Sequence, residues 1–192
     1  MRVHTRITAI TATKPISATE FRTYAKAVNI SGEDLLIDTQ LSASVRYIEN
    51  YIGKSINTNT FETTVWSFDD VRDIPNGELL YEVANGPLSS VTSVKGYDLE
   101  GSETALVSGT DYYILQGGRV RIPSATTYDS YKITYICGME EVEVTDNIKE
   151  AILKITAELY QNRGVSVTGT IVSNLKTDLS QLLNAERTKL YF

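Results

Sequence analysis

The chain has 192 residues, 42% hydrophobic and 22% charged, enough for one well-buried core or two small modules in an ordinary globular composition. No apolar run approaches the roughly 20 residues of a membrane helix, and the first residues carry basic side chains without the continuous apolar core of a signal peptide. Cys137 is the single cysteine, which excludes an intrachain disulfide, and His4 is the single histidine, which leaves no His-based catalytic dyad and no His-rich metal site.

The net charge of −6 is unevenly placed. Residues 55–138 hold five Lys or Arg against eleven Asp or Glu, whereas the rest of the chain holds thirteen of each. The central region therefore carries the whole imbalance, and nothing resembles the concentrated basic face of a protein that grips nucleic acid. The first 26 residues are locally basic, with Arg2, Arg6, Lys14, Arg22 and Lys26 against Glu20. Residues 1–14 are expected to form a flexible N-terminal arm.

Two helix starts follow. Ser17 and Glu20 form a capping box, with Ile16 and Phe21 placed as a hydrophobic staple across it. Ser31 with Asp34, flanked by Ile30 and Leu35, repeats the grammar. A short helix is predicted over 18–27 and a long one over 32–52, the latter ending at Gly53 and carrying Leu35, Leu41, Val45, Ile48 and Ile52 on one face. Between 55 and 138 the composition turns to Thr, Val, Ile and Tyr. Strands are predicted at 61–68, 78–83, 90–98, 105–107, 112–116, 119–122 and 132–137. Tight turns at 75–77, 98–101 and Gly117-Gly118 make these an antiparallel sheet or small sandwich, because parallel pairs need longer crossovers. Residues 145–164 return to helical spacing, with Ile148, Ala151, Ile152, Ile155 and Leu159 in one stripe and Thr145 or Asp146 as cap. That stripe is expected to pack on the stripe of the 32–52 helix. Residues 165–174 read as a loop or extended arm, 175–190 as a fourth helix, and the chain ends on the aromatic pair Tyr191 and Phe192. The fold class expected is α+β, a small antiparallel helical bundle with an inserted antiparallel β-sheet or sandwich. Its domains are a discontinuous helical part, 15–54 and 139–192, around a β module, 55–138.

Signatures of chemistry are absent. Gly117-Gly118 lacks both the flanking pattern and the following helix of a phosphate loop, and no G-x-S-x-G, H-E-x-x-H or calcium-loop pattern occurs. Asp69 and Asp70 are adjacent, so on a strand they face opposite ways; Glu140, Glu141 and Glu143 read as solvated charge. Cys137, following an apolar strand, reads as a small core residue. Tyrosines 81, 97, 112, 113, 128, 131 and 135 are expected to pack cross-strand. With Trp66 they could alternatively form an exposed sugar-binding platform, and a carboxylate-only glycosidase is a more remote alternative. Tyr160 and Arg163, at the end of the 145–164 helix, are residue types that dominate protein–protein hot spots. No catalytic, cofactor or metal residue is assigned.

Taken in order, residues 15–27, 31–56, 86–115 and 147–164 resemble the head–tail connector (head completion or adaptor) proteins of tailed bacteriophages. The likeness rests on Tyr47, Glu49, Tyr51 and Gly53 closing the long helix, on Pro87, Leu88, Val91 and Val94 opening a strand, and on Tyr160, Asn162 and Arg163 ending the later helix. The resemblance implies a non-enzymatic virion protein without cofactor. Such a protein forms a ring of copies under the portal protein, presents a docking surface to a tail completion or stopper protein, and lets viral DNA pass through its channel without specific binding. It implies location in the head–tail neck, with assembly in the host cytoplasm and no membrane contact. Interface residues expected on this basis are Tyr160, Asn162, Arg163, Tyr47 and Tyr51, together with the exposed tail Tyr191 and Phe192. An acidic surface at Asp69, Asp70 and Asp73 would keep DNA from sticking.

Overall fold

A computed structural model of the chain describes residues 2–10, 15–26, 32–66, 77–162 and 179–187. The fold is α+β, with antiparallel sheets throughout. The chain divides into two compact units, one of Met1–Ala12 with Asn57–Gly138 and one of Thr13–Ile56 with Met139–Phe192.

Among its described residues the first unit is built of β-strands and their turns. Its strands are β1 (Arg2–Ile10), β2 (Asn59–Trp66), β3 (Leu79–Glu82), β4 (Leu88–Tyr97), β5 (Glu103–Ala105), β6 (Tyr113–Leu115), β7 (Arg119–Ile122) and β8 (Ser130–Cys137). They form a five-stranded sheet, β1-β2-β8-β4-β5, and a three-stranded sheet, β3-β7-β6. In β2 and β8 buried and half-buried residues alternate strictly, as expected where one face of a sheet is covered. Phe61, Val65, Val94, Tyr131, Ile133 and Tyr135 from the larger sheet meet Leu79, Tyr81, Val120 and Ile122 from the smaller one in a single core. The module is thus a two-layer sandwich. The Gly117-Gly118 turn joins β6 to β7 with φ of +79° and +73°, a backbone that side-chain-bearing residues rarely adopt.

The core of this sandwich is pinned by hydroxyls. Thr63, fully buried on β2, lies 2.8 Å from the Thr5 hydroxyl, 3.1 Å from the Tyr135 hydroxyl and accepts from Tyr81 Oη at 3.2 Å. One hydroxyl offers one proton and two lone pairs, so three partners saturate it. Thr63 therefore links three strands of the large sheet to β3 of the small one.

The N-terminus departs from its expectation as a flexible arm. Arg2–Ile10 is a strand paired antiparallel with β2 along its length, from Arg2↔Trp66 to Ile10↔Asn59, with one irregularity between Ile7 and Ala9. Basic residues in the sequence concealed a β-branched alternation, and the ladder that orders it comes from a strand some fifty residues away. β5 is also shifted to Glu103–Ala105 from the predicted 105–107.

The second unit holds α1 (Ala18–Tyr24), α2 (Asp34–Ile52) and α3 (Asp146–Gln161), a 3-10 turn at Glu141–Glu143, and helical residues 179–183. The capping box at α1 is present: Ser17 N–H donates to Glu20 Oε2 at 2.7 Å and Glu20 N–H donates to Ser17 Oγ at 3.2 Å. Ile16 and Phe21, the staple residues, are both buried. Ser31 lies outside the described residues. Gly53 caps the end of α2 at φ +71°.

The two long helices pack antiparallel. Thr156 Oγ lies 2.8 Å from Ser44 Oγ, and Gln40 Nε2 donates to the Leu159 carbonyl at 3.1 Å. Their common core joins Ile37, Leu41, Val45, Ile48 and Ile52 to Ile148, Ala151, Ile152 and Ile155. Two predicted stripe residues are displaced. Leu35 is 81% exposed, because it lies about 200° round the helix from Ile37, which takes its place. Leu159 is 38% exposed in the last turn of α3, while Thr156 is fully buried. Leu179 and Leu183 close the core, but 184–186 form a turn rather than continuing the predicted fourth helix.

Candidate assembly surface

The described members of the set singled out from the sequence, Tyr47, Tyr51, Tyr160 and Asn162, lie at two ends of the α2–α3 pair. At the end where α2 begins and α3 finishes, Tyr160 is half-buried. Its hydroxyl donates to Glu33 Oε2 at 2.5 Å, and its ring meets Phe21 edge-on with centroids 5.6 Å apart. Tyr160 therefore fastens α3 to α1 and to the start of α2. Asn162 is exposed. Its backbone N–H donates to the Glu158 carbonyl, closing α3, and its side-chain amide donates to Glu158 Oε1 at 2.5 Å. Leu35, Leu36 and Leu159 add exposed apolar area to these elements.

At the opposite end Tyr51 is partly buried. Its hydroxyl donates to Asn184 Oδ1 at 3.3 Å, and the Arg187 guanidinium lies 5.1 Å from its ring centre. The same segment is held to the start of α3 by the Thr145 hydroxyl, which donates to Glu186 Oε1 at 2.8 Å and caps the helix through Ile148 N–H. Tyr47, about one turn earlier on α2, is 46% exposed. Tyr47 and Asn162 thus remain as exposed members of the set. Arg163, Tyr191, Phe192 and the acidic trio Asp69, Asp70 and Asp73 lie outside the described residues.

Most tyrosines of the sandwich are taken up in its own packing. Tyr81, Tyr112, Tyr131 and Tyr135 are buried in the core with Tyr128 packed against it, which leaves Tyr97, partly covered, and Tyr113, 39% exposed, outside it. Burial pushes the Tyr131 and Tyr135 hydroxyls above their ordinary pKa. A cleft of about 190 Å³ lies between Thr104, Asp111, Ser124 and Tyr128, below the roughly 300 Å³ usual for a ligand site. Its carboxylate, Asp111, already accepts from Val107 N–H at 2.8 Å. Cys137 is fully buried and its thiol is pushed up to about 12 by burial, so it holds no thiolate for nucleophilic attack. Among the described residues no group of three or more His, Cys, Asp or Glu could hold a metal ion, and no helix is long and apolar enough to cross a membrane.

Charge on the outer face of the large sheet is internally matched. Arg6 on β1 donates to Glu62 on β2 at 2.9 Å, and Lys132 on β8 lies 3.9 Å from the same carboxylate and 5.0 Å from the Tyr97 ring centre. Tyr97 Oη and Lys95 Nζ on β4 each donate to Glu103 on β5 at 2.5 Å. The Lys95 and Tyr97 hydrogen bonds hold Glu103 below the usual carboxylate range. Beside the small sheet Arg121 on β7 donates to Glu78 through Nε and, at 3.0 Å, through Nη2. Each such surface pair stabilises little. Among the described side chains of the large sheet's outer face, the basic groups Arg6, Lys95 and Lys132 each lie against a carboxylate.

Sequence reasoning missed the edges of the large sheet. Among the described residues β1 pairs on one side only, and β4 pairs with β5 only over Lys95–Tyr97. The available signal was the alternation Val3, Thr5, Ile7 at the N-terminus.

No protein-family profile matches the sequence, and no curated protein matches it. Solved structures do. One chain from the virion of a native gene transfer agent (GTA) particle superposes with a TM-score of 0.71 at 17% identity, covering 100% of this chain and 98% of that one. Chains from the neck of an empty GTA particle computed with C6 symmetry and from the neck of a native GTA particle computed with C12 symmetry superpose at 0.69 and 0.68. Each is 18% identical over 100% of this chain and 98% of the other. At such identity the likeness is one of fold, and it runs through both units from end to end.

Proposed function

We propose that this chain is a structural subunit of the neck of a tailed particle, a head–tail connector or adaptor. Copies form a ring under the portal protein and present the surface to which a tail completion or stopper protein docks. The observation that carries this reading is the likeness over the full chain to proteins of GTA particles, two of them from necks computed with cyclic symmetry. The ordered resemblance to phage connector proteins from Pro15 to Gly164 points the same way. A protein in this role needs faces and not catalysis, and the absence of a nucleophile–base constellation in the sequence is compatible with it. The chain acts in the neck after assembly in the host cytoplasm. Viral DNA passes through the ring without specific binding, since phosphate contacts are what retain DNA. Exposed Tyr47 and Asn162, together with Arg163, Tyr191 and Phe192, are the residues we assign to contacts with portal, stopper or neighbouring copies.

Deleting the gene from a particle-producing strain tests the reading. DNA-filled heads and separate tails are expected, with joining restored by the protein supplied in trans. Complete tailed particles from the deletion strain would refute it. The variant Arg163→Ala is expected to weaken ring or portal assembly while leaving the unfolding curve unchanged.

A further inference from the structure

The two open edges of the five-stranded sheet are complementary. β1 is a nine-residue outer strand, paired with β2 on one side. β5 covers only Lys95–Tyr97 of β4, with Leu106 N–H adding a bond to the Val94 carbonyl. The first half of β4, from Leu88 to Ser93, therefore lacks an outer partner among the described residues, and there Ser89, Ser90 and Thr92 are exposed. That leaves a lane about 20 Å long where β5 stops.

Strand direction decides what fits the lane. β1 to β2, β2 to β8 and β8 to β4 are three successive antiparallel steps, so β1 and β4 run in opposite directions. A β1 strand from another copy, added by head-to-tail rotation, arrives antiparallel to β4; the register of β4 shifts between Leu88 and Ser90 and again between Val91 and Ser93, so the added ladder is interrupted at those two points. Side chains match as well. Val3, Thr5 and Ile7 stand opposite Val65, Thr63 and Phe61, on the core face of the sheet, yet Val3 and Ile7 are each 39% exposed. On β4 the core-face residues at the open lane are Leu88 and Val91, opposite Cys137 and Tyr135, and both are only partly buried. Both edges thus end in uncovered apolar residues on the same face. Outer strands usually carry a proline, an inward-pointing charge, a bulge or a covering segment against such joining, and here β1 has one register irregularity, between Ile7 and Ala9, beyond the Val3–Ile7 stretch. The stretch Val3–Ile7 has neither a proline nor an inward charge, and no described segment covers it.

We propose that copies of this chain join by β1 of one copy pairing with the Leu88–Ser93 edge of β4 in the next, giving a head-to-tail interface that closes into a ring. This rests on the ring reading above and specifies its contact. A heterologous interface of this kind closes under cyclic symmetry, whereas pairing β1 with β1 would stop at a dimer. The join is short, so separate copies gain little from it, and it forms when portal holds neighbours side by side.

Cysteine cross-linking of the full chain on portal-bearing heads tests the contact. Doubly substituted chains, His4→Cys with Ser90→Cys and Thr8→Cys with Ser90→Cys, sample two registers, with Cys137 silent inside the core. One of them is expected to give an oxidative ladder of multimers, while chains with the β1 cysteine alone give none. Independently, Val3→Lys and Ile7→Lys are expected to lower ring formation about tenfold or more with an unchanged unfolding midpoint, because the charge would be trapped in the seam. The variant Val91→Lys, on the other edge, should do the same. Rings that form undiminished in the lysine variants without any ladder would overturn the edge contact and leave the ring reading standing. Cross-linked dimers from β1 cysteines alone would overturn the head-to-tail join. Failure of the unsubstituted chain to form rings on heads would overturn both.

Discussion

Replacing Thr63 by valine keeps the shape of the side chain and removes the hydroxyl at which three others converge. Thr5, at the outer strand, is close enough to solvent to find water. Tyr81 and Tyr135 are not: both are buried, and their hydroxyls sit at 3.2 and 3.1 Å from Thr63. The two tyrosines can share one hydrogen bond with each other, which leaves one O–H without an acceptor in the core. Leaving a buried polar group unpaired costs about 1–3 kcal/mol, and the valine methyl recovers only part of this. Thr63→Val should therefore lower unfolding free energy by about 1–3 kcal/mol in urea titrations at unchanged m. Amides of β2 and β8 should lose the same protection in hydrogen exchange, which reports the sandwich by itself. Adding Tyr81→Phe and Tyr135→Phe removes the stranded groups, so the triple variant should regain most of the loss. If Thr63→Val were within about 0.5 kcal/mol of the parent, or if the three changes added as independent losses, the hydroxyl hub would not hold the sheets together.

The helical unit allows a paired test: Leu41→Ala, in the α2–α3 core, should cost about 2–5 kcal/mol, whereas Leu35→Ala should stay within about 0.5; equal costs would contradict the outward position of Leu35. Cys137, with its thiol pushed up to about 12, should resist iodoacetamide in the native protein near neutral pH and react once the chain is unfolded. Rapid native labelling would show that the end of β8 opens. Glu20 is held below its ordinary 4.5, first by the Ser17 backbone N–H and then by the Ser17 hydroxyl. A lowered carboxylate stabilises the fold fully above its unfolded value and loses that contribution as pH falls through the folded one. Protection of the first turn of α1 should therefore decline on acidification below about pH 4.5 in the parent and less so in Glu20→Gln; equal declines would exclude Glu20 as the cause.

Local chemistry was legible wherever neighbours in sequence settle the structure. The Ser17–Glu20 box, the Gly53 stop, the Thr145 cap and the two-glycine turn before β7 all act within a few residues, and their side chains or φ requirements allow little else. The α+β class follows from the switch of period between 52 and 59 and back again near 146. Tertiary structure decided what depends on distant partners. It turned residues 2–10 into a strand, since only β2 supplies their hydrogen bonds. On α2 it kept Leu41, Val45, Ile48 and Ile52 in the seam and put Ile37, one turn before Leu41, there in place of Leu35. Tyr160 and Tyr51 became fastenings, as Glu33 and Asn184 reach them only in the folded unit. Strand parity across β1, β2, β8 and β4, and hence the matched pair of open edges, exists only once the order of the sheet is formed. A sequence specifies periods, caps and turns by itself; which edge remains unpaired is a property of the whole sheet.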